Sequence, residues 1–257
     1  MSGTYFYSFL LITLLLVTGI QSQLGIVTGG IYQGVPQSMQ DNALNIFCEY
    51  VQLGVKWIRI QSDWPGTDIS TYQSIVQIAH ANGIAVDVIV PAQYCGDDSN
   101  NTAIDAFTSA YTSHLDYLIS NVFVGSASVD AYEIGNEPNI VETGCPDGQS
   151  RFRVSPNAFA WLLRRSYQWK QQRGLSLSII SGGILNTYTT ESFWPAFLQS
   201  GAFFVYYGSR PFDYFGIHPY DPYTIDQGCI NSGSTNCFSS WAQQITSGLI
   251  EVSQCVF

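Results

Sequence analysis

The chain has 257 residues, of which 46% are apolar and 11% charged, with a net charge of −10 and only nine lysines and arginines. That length and composition suffice for one sizeable buried core, and the scarcity of basic residues argues against nucleic acid or an anionic membrane surface as partner. A neutral ligand such as carbohydrate is compatible with such a surface.

Residues Phe6 to Val17 form an apolar block too short for a comfortable membrane span. Thr18, Gly19 and the polar run Gln21 to Gln23 follow, so a cleaved signal peptide over residues 1–22 is expected, with cleavage after Gly19 or Ser22. The block lacks Lys and Arg on its amino-terminal side, which leaves a membrane anchor as the other reading. The expected product is secreted and extracellular, with residues 23–257 as one domain.

From Leu24 onward, strand-like runs alternate with helix-period segments. Leu24 to Val27 precedes a helix over Gln37–Leu53, Val55 to Ile60 one over Thr71–Asn82, and Ala85 to Val90 one over Ala103–Val122. Val129 to Ile134 precedes a helix over Pro156–Arg173, Leu177 to Ser181 one over Ser192–Leu198, and Phe212 to Ile217 one over Phe238–Ser253. The strand runs are nearly continuous in Val and Ile, as parallel strands covered on both faces require, and Gly54, Gly83 and Gly174 stand where helix C-caps belong. The pattern is α/β, in six βα units. Gly25, Gly29, Gly30 and Gly34 have the wrong spacing for a dinucleotide loop, which disfavours a Rossmann winding.

Six cysteines in a secreted chain imply disulfides. Cys95 and Cys145 follow consecutive strands, and Cys229 and Cys237 bracket a short loop, so these two pairings are expected, with Cys48 and Cys255 as buried thiols on helices. There is no Cys-x-x-Cys, and His80, His114 and His218 are scattered, so no metal or other cofactor is expected. Asn100-Asn101-Thr102 is a glycosylation sequon. The long Gly-, Ser- and Asn-rich loop from Asp221 to Asn236 is a candidate binding segment or plain surface.

The most informative stretch is Tyr132-Glu133-Ile134-Gly135-Asn136-Glu137-Pro138-Asn139. Gly135 and Pro138 stop a β-prone run abruptly, so Asn136 and Glu137 project where strand gives way to loop, the end at which parallel α/β proteins gather their chemistry. A carboxyl beside an amide there suits glycosidic bond cleavage, with Glu137 as the acid/base. A lone exposed Glu-Pro would mean little. Four fixed residues after a hydrophobic strand arise by chance at well under ~1% in this length.

Three segments carry a family resemblance: Gly54-Val55-Lys56-Trp57-Ile58-Arg59-Ile60, Gly135-Asn136-Glu137-Pro138, and Phe215-Gly216-Ile217-His218-Pro219-Tyr220. Together they resemble the second, fourth and sixth strands of clan A of the glycoside hydrolases, retaining (β/α)8 TIM barrels that include cellulase-like families such as family 5 and family 39. The resemblance covers Leu24 to about Ser253. It implies hydrolysis of O-glycosidic bonds in a polysaccharide or glycan with no cofactor, and the chain is expected to act as a monomer. It implies Glu137 as acid/base, Asn136 on the sugar 2-hydroxyl, Arg59 near the nucleophile, and His218 and Tyr220 flanking the carboxylates.

Each position also has a plain structural reading. Arg59 in an apolar strand implies a carboxylate partner in the barrel mouth, or a structural ion pair with Glu133 or an Asp. Asn136 could cap a turn, and His218 could be a satisfied core histidine, with Tyr220 similarly divided. Glu133 reads as a strand residue in an ion pair rather than a catalyst. Trp64, Tyr94, Tyr220 and Tyr223 are candidates to stack on sugar rings, while Trp161, Trp169 and Trp241 lie on helices and read as core.

The resemblance implies a nucleophilic Glu on a seventh strand, and the sequence stops about one helix after the sixth. Glu251 sits in Leu249-Ile250-Glu251-Val252 and reads as a solvated helix residue. The expectation is a chain incomplete at its C-terminus and missing its nucleophile. A secreted carbohydrate-binding protein on the same barrel, without catalysis, is the alternative. Cys-His catalysis through Cys255 and His218 lacks any local signature.

Overall fold

Val- and Ile-rich runs pair best side by side as buried parallel strands, and that is what they do here. The computed structural model describes residues 25–27, 50–51, 54–62, 69–143, 145, 147–185, 190–204 and 211–218. The strands are β1 (Gly25–Val27), β2 (Trp57–Gln61), β3 (Ala85–Val90), β4 (Ala131–Ile134), β5 (Val141–Glu142), β6 (Arg151–Phe152), β7 (Ser178–Leu185) and β8 (Tyr214–His218). The helices are α1 (Ile69–Ala81), α2 (Asn101–Tyr117), α3 (Pro156–Arg173), α4 (Thr190–Leu198) and the short α5 (Gly201–Phe204).

The main sheet runs β1-β2-β3-β4-β7-β8, every neighbour parallel and in chain order. A doubly wound sheet would reverse its order at a switch point, and this one does not. The class is α/β with a singly wound arc. From β2 to β8 the expected strands and helices are present, β3 and α3 at the expected bounds and the others displaced at one or both ends. The expected helices over Gln37–Leu53 and Phe238–Ser253 fall largely or wholly outside the described residues.

Two differences have physical causes. The β4–α3 connection holds a two-stranded antiparallel ribbon, β5 with β6, whose strands of two residues are too short to show alternation in the sequence. β7 runs on through Gly182 and Gly183 to Leu185, past the expected stop at Ser181, because glycine there permits close approach rather than ending the strand.

Period-two alternation gives the sheet two unlike faces. Ile58, Ile60, Val86, Val88, Val90, Tyr132 and Ile134 turn to the helices and form one core with Tyr72, Val76, Leu115, Leu162, Phe193 and Phe197. The opposite face carries Trp57, Arg59, Asp87, Ile89 and Glu133. Trp169 belongs to the core, with its Nε1 donating to Asp116 at 2.7 Å, and Trp161 packs partly buried against it, as expected of both.

At the N-terminal ends of the strands one device recurs. Asp130 and Asp213, each just ahead of a strand, accept the N–H of Val86 and Ile179 at 2.8 and 2.7 Å. Each carboxylate also meets a basic side chain from a helix, His80 at 2.9 Å and Lys170 at 2.6 Å. These pairs pin strand starts and lie at the opposite end of the sheet from the Asn136-Glu137 turn.

α3 begins with Pro at its first position, and its free N–H groups are capped from another loop: Asp98 accepts from Ala158 N at 3.0 Å, Asn157 N at 3.2 Å and Ser155 Oγ at 2.5 Å. Gly174 closes the helix in the left-handed conformation at φ 64°. Gly54 and Gly83 also have positive φ, as the C-cap reading of the sequence expects. Among the described residues no helix is long and apolar enough to cross a membrane.

Candidate active site

The site grows from the abrupt end of β4. Gly135 turns the chain at φ 76°, and Glu137 follows at φ 49°, the sole non-glycine residue with positive φ among those described. A Cβ-bearing residue held there is strained by roughly 1–2 kcal/mol, so surrounding contacts must impose it. They are visible. Gly135 N donates to Val90 O at 2.9 Å, and Tyr111, buried on α2, donates its hydroxyl to the same carbonyl at 2.5 Å. Glu137 N donates to Gly183 O at 3.1 Å, and Ile140 N closes the turn onto Glu137 O at 3.1 Å.

Arg59 reaches this turn from β2. Its Nε and Nη2 hold Glu133 at 2.5 and 2.7 Å, and Nη2 also donates to Asn136 Oδ1 at 3.0 Å. Of the readings that the sequence left open for Arg59, the structural ion pair with Glu133 is the one present. With Arg59 donating to its amide oxygen, Asn136 retains its NH2 as a donor. Gly183 N adds a third hydrogen bond to Glu133, at 2.9 Å.

A cavity of about 690 Å³ opens beside this turn, lined by Gln61, Gln93, Tyr111, Asn136, Glu137 and Arg153 among others. Arg153 was not singled out by the sequence. Its Nη1 donates to Asn136 O at 2.9 Å and its Nε to Glu142 at 2.7 Å, so it braces the backbone of the turn while presenting charge to the cleft. An arginine seventeen residues past Asn136 gives no signal until the β5–β6 ribbon folds back. Asp87 was also missed, although a charge inside Val-Asp-Val-Ile-Val is the same cue that drew attention to Arg59.

The cleft wall is stapled. Cys95 and Cys145 are bonded, joining the β3–α2 and β4–α3 loops as expected. Arg151 Nη1 donates to Cys95 O at 2.7 Å and Tyr94 N to Arg153 O at 2.7 Å across the same seam. The expectation that Tyr94 stacks on sugar is corrected: its ring is 7% exposed, packed on Phe107 at 5.0 Å between centroids, with its hydroxyl on Asp97 O at 3.0 Å. A ring sandwiched between helix and loop is structural.

Glu137, Asn136 and Arg59 come together, and His218 ends β8 on the same sheet. Trp64, Tyr220, Tyr223, Trp241, Glu251, Cys48, Cys229, Cys237, Cys255, the apolar block Phe6–Val17 and the loop Asp221–Asn236 lie outside the described residues. Among the described residues no group of three or more His, Cys, Asp or Glu is placed to hold a metal ion. Asn100 of the sequon is exposed and caps α2, its Oδ1 accepting from Ala103 N at 3.0 Å.

No protein-family model matches the chain, and no curated protein does. Solved structures show a loose likeness. A β-glucosidase from Exiguobacterium marinum aligns at 17% identity over 59% of this chain and 38% of its own, with a TM-score of 0.37. The catalytic domain of GH30 xylanase C from Talaromyces cellulolyticus aligns at 14% identity over 70% of this chain and 51% of its own, with a TM-score of 0.44. Pyruvate carboxylase from Rhizobium etli aligns at 13% identity over 76% of this chain and 16% of its own, with a TM-score of 0.46. This chain thus spans about half or less of the length of each. The reading of function rests on the side chains.

Proposed function

We propose that the chain carries the acid/base site of a retaining glycoside hydrolase on an eight-stranded (β/α)8 barrel of the clan A type. Glu137 is the acid/base and Asn136 the contact to the sugar 2-hydroxyl. The observation that carries the reading is that Arg59, itself fixed by Glu133, holds Asn136 by its amide oxygen beside Glu137 at one cleft. The amide NH2 is thereby oriented to donate to a hydroxyl, an interaction that strengthens as oxocarbenium character develops. Glu137 protonates the departing glycosidic oxygen and then draws a proton from water.

A retaining mechanism requires a second carboxyl about 5 Å from the first. Glu137 is the sole carboxylate among the described residues that line the cleft, and this favours a second reading, a sugar-binding protein without turnover. Signal cleavage at the apolar block, secretion, glycosylation at Asn100 and action as a monomer on a polysaccharide or glycan complete the proposal.

One experiment separates the two readings. The full chain is assayed on a panel of aryl glycosides and oligosaccharides beside Glu137→Gln, with oligosaccharide binding measured on both. Hydrolysis lost in the variant with binding kept supports the enzyme; binding with no hydrolysis by the wild type overturns it.

A further inference from the structure

Among the described residues, the polar face of the sheet sets Arg59 beside two carboxyl groups. Arg59 and Asp87 are register partners on β2 and β3, and Glu133 stands on the same face of β4. Asp87 is 7% exposed and Glu133 3%. The Asp87 carboxyl is within hydrogen-bonding reach of Glu133, yet Asp87 Oδ1 has no hydrogen-bond partner among the described residues. Two buried carboxylates in such contact cannot both be ionised beside a single guanidinium without leaving a net buried charge.

The hydrogen bonds say where a proton belongs. Glu133 already accepts three hydrogen bonds, from Arg59 Nε and Nη2 and from Gly183 N, so both of its oxygens face donors and a shared proton is left to its neighbour. We propose that Asp87 is a positioning residue that keeps its proton and donates it to Glu133, making the Arg59–Glu133–Asp87 group neutral so that Arg59 stays on Asn136. Burial pushes the Asp87 carboxyl well above the usual carboxylate range, Glu133 raises it further, and Arg59 only partly opposes this. The charged groups facing it are Arg59 from β2 and Glu133 from β4. Loss of the proton would leave two negative charges competing for one guanidinium and slacken its hold on Asn136.

The sign of the pH dependence follows. A carboxyl that titrates higher in the native state than the ordinary value of about 3.9 favours folding at low pH, and that contribution declines as pH rises toward the native value. Asp87→Asn keeps the shape and a donor but cannot ionise, so the decline should vanish.

The inference deepens the hydrolase reading only where it concerns Asn136; its main test is independent of turnover. Infrared difference spectra of the full chain, wild type minus Asp87→Asn at neutral pH, should show the carbonyl stretch of a protonated carboxylic acid. Should the variant fail to fold, pH titration of the wild type followed by the carboxyl carbon signals of labelled aspartate should show one Asp still protonated at neutral pH. In thermal melts the difference in stability between Asp87→Asn and wild type should move in the variant's favour as pH rises from about 4 toward neutral pH. No protonated aspartate at neutral pH, by either spectroscopy, overturns the proposal. A protonated Asp87 in a chain that hydrolyses no glycoside sustains it and sinks the hydrolase reading instead.

Discussion

Gly183 and Glu137 are joined through the backbone: Gly183 O accepts the N–H of Glu137 at 3.1 Å, while Gly183 N donates to Glu133 at 2.9 Å. One residue of β7 thus ties the strained Glu137 to the ion pair that holds Asn136. Its neighbour Gly182 makes the approach possible, because a Cβ there would stand 2.6 Å from Ile134 O and 2.8 Å from the Gly135 backbone. Gly182→Ala should force β7 away from the turn, lowering stability by roughly 1–3 kcal/mol and abolishing the Glu137-dependent activity. Urea unfolding and kcat/KM measured together check this, and a variant with unaltered kcat/KM would refute the role of the close approach.

Arg59→Met should destabilise the protein by about 3–5 kcal/mol, since it strands Glu133, 4% exposed at its side chain, without its guanidinium. The double variant Arg59→Met, Glu133→Gln should recover part of that loss. Equal losses in the single and double variants would show that the pair is not coupled.

Glu137→Gln should lower kcat by about 10²–10⁴ while leaving the melting temperature within the scatter of the wild type. Azide or formate should restore part of the activity on substrates with good leaving groups, an effect absent if Glu137 only binds.

His114, buried on α2, has its pKa lowered to about 4 by the loss of hydration. An unfolded histidine titrates near 6.5, so the unfolded chain takes up the proton first as pH falls. Stability present above about pH 6.5 should be lost as pH drops toward about 4, and His114→Gln should flatten that part of the profile. Parallel curves for the two proteins would count against it.

Reducing Cys95–Cys145, which closes a loop with a sequence separation of 50, should cost about 2–4 kcal/mol and loosen the cleft wall. Amide exchange should rise in the β3–α2 and β4–α3 loops together. A rise in one loop alone would mean that the other ties across the seam suffice.

The sequence by itself determined the α/β class, the boundaries of β3 and α3, the need of Arg59 for a carboxylate partner and the position of Glu137 at a strand end, and it favoured Cys95–Cys145 without fixing it. Those are local properties: β-branched runs, helical period, capping glycines, and the energetic need of a buried charge for a partner. Tertiary structure decided what depends on residues distant in the chain meeting. Asp87 and Glu133 come together only when β3 lies beside β4, and Gly182–Gly183 read as a strand end until β7 is pressed against the Gly135 turn. Arg153 and Tyr94 changed meaning for the same reason: the β5–β6 ribbon brings the first into the cleft and the packing on Phe107 takes the second out of it. Periodicity encodes which face a residue takes on its own strand, whereas pairing between strands, and hence the charge balance of the polar face, exists only in the assembled sheet.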